Sequence, residues 1–136
     1  MSISNGNYPN SKLGETIMSK LEKIKSQIKT NIENYFIAEE KSDKEWSEKH
    51  GFSCSFKRAE YDYLIRINED ENAVSIIFDG SMFYDLINTH FVSTGEDAED
   101  YREESWFCSD TAEKIFDLSK YHWEQYASYQ IDVYTN

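Results

Sequence analysis

Residues 51–78 read GFSCSFKRAEYDYLIRINEDENAVSIIF, and the change of rhythm at Gly51 decides the fold class. Before it, apolar residues recur in steps of four and three; after it, they alternate, which is the spacing of strands. Tyr61, Tyr63, Ile65 and Ile67 alternate with Asp62, Leu64 and Arg66, and Val74, Ile76 and Phe78 form the next such run. Asn68-Glu69-Asp70-Glu71-Asn72 joins the two runs, predicting an antiparallel hairpin with an acidic tip. Cys54 and Phe56 read as an earlier strand whose parity is flipped, so a turn or bulge is expected at Lys57 to Glu60.

Upstream, Leu13, Ile17, Leu21, Ile24, Ile28, Ile32 and Tyr35 draw one apolar stripe along a helix. Residues 1–11, with the only proline at Pro9, read as a flexible tail, leaving 12–136 as a single domain. Ser42 and Glu45 match a capping box and Gly51 stands at a helix stop, so a second short helix is expected from Asp43 to His50. Trp46 would anchor it to the core, and His50 would sit favourably in the negative end of the helix dipole.

Downstream, Ser81 is placed to cap a helix through Met82, Phe83, Leu86, Ile87 and Phe91. Ser93 to Glu104 reads as an exposed acidic loop, and Trp106 to Cys108 as a short strand. Asp110 with Glu113 opens a last helix whose stripe runs through Ile115, Leu118, His122, Tyr126 and Tyr129, and Ile131 to Tyr134 adds an edge strand. The assembly is α+β: an antiparallel sheet of about three to five strands with a long N-terminal helix and a C-terminal helix packed on one face.

The charge is unevenly spread. Net charge is -12 over 136 residues, and the stretch from Glu69 to Glu113 holds thirteen acids against one base, Arg102, while the rest of the chain is neutral. Such a surface disfavours direct contact with nucleic acid or anionic membrane and favours a basic protein partner. Aromatic content of 15%, with ten tyrosines, separates the chain from disordered acidic sequences. There is no leader-like segment and no apolar run of the roughly 20 residues that spans a bilayer, so a cytoplasmic location is expected. Cys54 and Cys108 lie far apart without a CxxC, which points to reduced thiols, a single long-range disulfide being the alternative.

Catalytic and cofactor motifs are missing: no HExxH, GxSxG, GxxxxGK[ST] or GxGxxG occurs, and no cofactor or metal site is expected. His122-Trp123-Glu124 has the HxE form of zinc deaminases but no PCxxC to complete the ligands. Glu96 to Glu104 lacks the spacing of a calcium loop.

The remaining signal is acids interleaved with aromatics. Glu69, Asp70, Glu71, Asp85, Glu96, Asp97, Glu99, Asp100, Glu103 and Glu104 would attract a basic surface, with Tyr101 and Trp106 as anchors. The leading expectation is a small acidic inhibitor that caps a basic active site or nucleic-acid groove of a partner, such as a nuclease, its carboxylates standing in for phosphates. Immunity proteins against nuclease toxins and phage-encoded inhibitors share this physical description, an analogy of size and composition only. Two rivals stand beside it: a small-ligand domain or enzyme with a pocket lined by tyrosines and His90 or His122, and a subunit that forms homodimers through the Leu13 to Tyr35 stripe.

Overall fold

A computed structural model describes residues 9–93 and 102–135. Helix α1 (Pro9–His50) is followed by a 3₁₀ turn at Arg58–Glu60, strands β1 (Leu64–Asn68) and β2 (Ala73–Ile77), helix α2 (Met82–Ile87), strands β3 (Asn88–Ser93) and β4 (Arg102–Phe107), helix α3 (Ser109–Phe116), and strands β5 (His122–Ala127) and β6 (Gln130–Tyr134). The main sheet is four-stranded and antiparallel in the order β1-β2-β6-β5; β3 and β4 form a separate ribbon. The α+β class follows directly from this layout, with α1 and α3 supplying the helical layer.

The register sorts each strand's residues into two faces. Ile65, Ile76 and Ile131 line up across three strands, as do Ile67, Val74, Val133 and Trp123 across four. Leu21, Ile24, Ile28, Ile32 and Phe36 of α1 are buried in one core with these rows, so the central part of the stripe is used by the chain itself. It is not a seam open to a second copy. Phe36 stacks on Phe83 of α2 at 5.8 Å, and Phe83 meets Phe116 of α3 at 5.3 Å and Tyr61 at 5.2 Å, an aromatic knot that locks all three helices together.

α1 begins at Pro9, so Pro9 to Ser11, expected as tail, belong to the helix; proline suits a first helical position because its missing N–H would have no partner there. The separate helix expected from Asp43 does not exist. Neither Gly nor Pro interrupts 37–50, and Asp43 uses its carboxylate on a distant segment instead of capping its own backbone. Gly51 does end the helix: it adopts φ +72, and the Phe52 N–H reaches back to the Ser47 carbonyl at 3.1 Å, a Schellman closure. Trp46 is 52% exposed instead of anchored in the core.

The hairpin at 68–72 is as expected, closed by the Asn72 N–H on the Glu69 carbonyl at 3.2 Å with Asn72 left-handed. Residues 52–57 form no strand, but the turn expected next is the 3₁₀ turn. Ser81 caps α2 through the Phe83 N–H at 3.1 Å, yet α2 stops at Ile87 because Asn88 satisfies its end, donating Nδ2 to the carbonyls of Tyr84 and Ser128. Asn88 to Ser93 then pairs as strand β3 with Arg102 to Phe107, so part of the expected acidic loop is strand.

α3 ends at Phe116, not Tyr129. Asp117 takes φ +53, and the Leu118 N–H closes on the Glu113 carbonyl at 3.0 Å. His122 to Ala127 is an edge strand with a bulge between Gln125 and Ala127, while β6, expected at the edge, lies between β2 and β5 with Ile131, Asp132 and Val133 buried.

Candidate interaction surfaces

The other face of the sheet carries the alternate register rows: Arg66, Ser75, Asp132 and Glu124 in one, Asn68, Ala73, Tyr134 and His122 in the next. Ser75 and Asp132 are buried at its centre. Asp132 Oδ1 accepts from the Ser75 hydroxyl at 2.7 Å and from Gln130 Nε2 at 3.0 Å, which satisfies a carboxylate that would otherwise be costly to bury. Towards one end, Tyr134 donates to Glu124 at 3.5 Å, and His122 lies 3.7 Å from Glu124 and against the Tyr134 ring at 5.4 Å. The Tyr134 hydroxyl is held above its ordinary value by loss of solvent first and then by Glu124, Asp132 and Glu71. Tyr134 pairs with Ala73 at the foot of the hairpin and with His122 on β5, and the Thr135 N–H meets the Asn72 carbonyl at 3.2 Å, so the hairpin tip and β5 share one acidic corner.

Glu69, Asp70 and Glu71 are all exposed at this corner. Asp85 is exposed on α2, and Trp106, 49% exposed, belongs to β4; they sit on separate elements. Glu96, Asp97, Glu99, Asp100 and Tyr101 lie outside the described residues, and Glu103 and Glu104 are placed in β4 by their backbone alone. Glu124 was missed by sequence reasoning because 122–129 was read with helical spacing; His122 was named only as a pocket or HxE candidate, and Tyr134 only as part of an edge strand. The alternation of His122 and Glu124 with Trp123 was the available signal. His122 lies exposed on an edge strand, not on the last helix expected to carry it.

A second surface lies at the far end of α1. Asp43 accepts from the N–H groups of Ser55 at 2.9 Å and Phe56 at 3.0 Å and from the Ser55 hydroxyl at 3.2 Å, which pins the return segment along the helix. These bonds, the Phe56 N–H foremost, hold its carboxyl below the usual value. Arg58 forks onto Glu40 at 2.7 and 2.9 Å and onto Glu33 at 2.8 and 2.9 Å, with its guanidinium 5.4 Å from the centre of the Phe36 ring. Its hydrogen bonds draw the Glu40 carboxyl below its ordinary value.

Between helix and return segment runs a groove of about 750 Å³ lined by Glu40, Asp43, Lys44, Ser47, Glu48, Phe52, Cys54 and Phe56 among others. Trp46 stacks on Phe52 at 5.4 Å and on His50 at 4.4 Å beside it. Among the described residues, no group of three or more His, Cys, Asp or Glu is arranged to hold a metal, and no helix is long and apolar enough to cross a membrane. Cys54 and Cys108 are not bonded to each other. Comparison with protein families, with curated proteins and with solved structures finds no match to this chain.

Proposed function

We propose that this chain is a small acidic binding protein that caps a basic surface of another protein, a nuclease or other nucleic-acid-binding protein being the partner class whose groove is built for phosphate. The observation that supports it most is the poverty of internal neutralisation. Among the described residues Arg58 is the one Lys or Arg in an ion pair, so Glu69, Asp70 and Glu71 of the hairpin tip face solvent outside any ion pair, and Glu124 has the exposed His122 beside it in place of a Lys or Arg. A basic partner would relieve that repulsion and would feel the field before contact.

The test begins with affinity capture at low salt, identification of the bound protein, and purification of the pair. Glu69, Asp70 and Glu71 are then reversed together to Lys. All three are exposed at a turn, so the fold should hold. Association should slow by at least about tenfold at 0.01 M ionic strength and by much less at 0.15 M, as the screening length falls from about 30 Å to about 8 Å. An association rate unchanged at both salts would refute the capping role of this corner.

A further inference from the structure

Beyond Phe36, α1 continues from Ile37 to His50, about 21 Å of helix at about 1.5 Å per residue, and Ser47 is its one buried residue. This arm is held by the Asp43 and Arg58 contacts, and the braces define the groove beside it. Its helical wall is Glu40, Asp43, Lys44, Ser47 and Glu48, one face by spacing; its other wall is the segment from Gly51 to Phe56. Its volume falls within the range of small-ligand pockets, about 300–1,000 Å³.

Two features say what it would accept. Ser47 is only 4% exposed, lines this groove, and its hydroxyl has no hydrogen-bond partner, although a buried serine hydroxyl normally finds one. The lining carries three carboxylates against Lys44, which favours a cation and disfavours phosphate or carboxylate ligands. The Asp43 and Glu40 oxygens are already engaged by the return segment and Arg58, leaving Glu48 as the unengaged carboxylate, with the Ser47 and Ser53 hydroxyls as further acceptors. Beside them Phe52 presents a ring that is 64% exposed. Either an ammonium or a guanidinium would be attracted to the ring face, but only the planar guanidinium can stack flat on it while its five N–H donors reach acceptors at the edge.

We propose that this groove takes an arginine side chain of a partner protein, its guanidinium lying on the face of Phe52 that Trp46 leaves open and donating to the Glu48 carboxylate, with the Ser47 hydroxyl, closed off from solvent in the free chain, turning into the groove to accept as well. It rests on the capping reading only for the source of the arginine. The site itself can be tested with a free probe.

The experiment titrates isotope-labelled full chain with N-acetyl-arginine amide, following backbone amide resonances, and repeats it with N-acetyl-citrulline amide, which has nearly the same shape without the charge. Shifts should centre on Ser47, Phe52 and Cys54, and citrulline should bind at least about tenfold more weakly. Ser47→Ala should weaken arginine binding about fivefold or more while the melting temperature stays level or rises, because it removes an unsatisfied buried group. Glu48→Gln should weaken it comparably, and as an exposed substitution it keeps the test valid even if Ser47→Ala fails to fold. Equal binding of citrulline, undiminished binding by both variants, or shifts centred on the hairpin tip would overturn the groove. A partner whose association responds to the tip reversal, with no arginine shifts in the groove, overturns the groove alone. Arginine held in the groove, with the tip reversal silent, upholds the groove and removes the capping role of the corner.

Discussion

Asn31 lies buried beside the apolar stripe of α1, and removing it tests how α1 and α3 are joined. Its side chain is 8% exposed and donates Nδ2 to the Phe116 carbonyl at 2.9 Å, while its Oδ1 accepts from Gln27 at 2.8 Å. Phe116 is the last residue of α3, so its carbonyl is one of those a helix end leaves without an internal partner. Asn31→Ala strands that carbonyl in a buried setting, at a cost of about 1–3 kcal/mol, and opens a small cavity as well. A total of about 2–3 kcal/mol, with unfolding entropy near 2.1 cal/mol/K per residue, lowers the melting temperature by about 7–10 °C.

Asn31→Leu keeps the volume and loses the donor, so the difference between the two variants separates cavity from hydrogen bond. Asn31→Asp adds a pH signature. A carboxylate facing a carbonyl is disfavoured, so the folded-state value rises above the unfolded one of about 3.9; relative to the parent chain, stability is retained below that pH and lost as pH rises through the interval. Urea unfolding at several pH values measures all three. If Asn31→Ala costs less than about 0.5 kcal/mol, water replaces the amide and the α1–α3 tie has been over-read.

Two further outcomes follow from backbone and side-chain environment. Gly51→Ala should cost about 1 kcal/mol in urea unfolding, because φ is +72 while an added Cβ would meet nothing within 4 Å, and Gly51→Asn should cost less; equal, negligible costs would mean the helix end relaxes. Tyr35 is pushed up to about 12 by burial first and then by Glu39, and Tyr61 and Tyr63 are raised too, again chiefly by burial. Because the folded values lie above the unfolded value of about 10, their contribution is whole below that pH and is lost as pH rises from there towards 12. Tyr35→Phe should shallow that alkaline decline in melting temperature; an identical slope would contradict the assigned environment.

The elements legible in the sequence were those whose cause is local. The switch at Gly51, the 69–72 turn and the Ser81 cap each depend on residues a few positions apart. What was misread depended on distant chain. Ser42 and Glu45 satisfy the spacing of a capping box, but no breaker precedes them and Asp43 is spent on Ser55 and Phe56. Arg102 to Phe107 is dominated by charged residues, yet it is strand because Asn88 to Ser93 supplies its partner. Apolar spacing continued through His122 and Tyr126, and only the left-handed Asp117 cut it.

The same division governs the surfaces. Glu69, Asp70 and Glu71 could be found by counting charge, since a hairpin turn keeps neighbours together and in solvent. Glu124 joins them only through the register that sets it opposite Asp132 in a strand order no local pattern specifies. The groove is further still from local rules. Its walls meet because a mid-helix aspartate holds two backbone N–H groups twelve and thirteen residues on, and its unpartnered serine differs from any other helical serine only once those walls are in place. Charge abundance therefore indicates the sign of a partner from composition alone, whereas the place where a single side chain of that partner could be held arises from tertiary contacts.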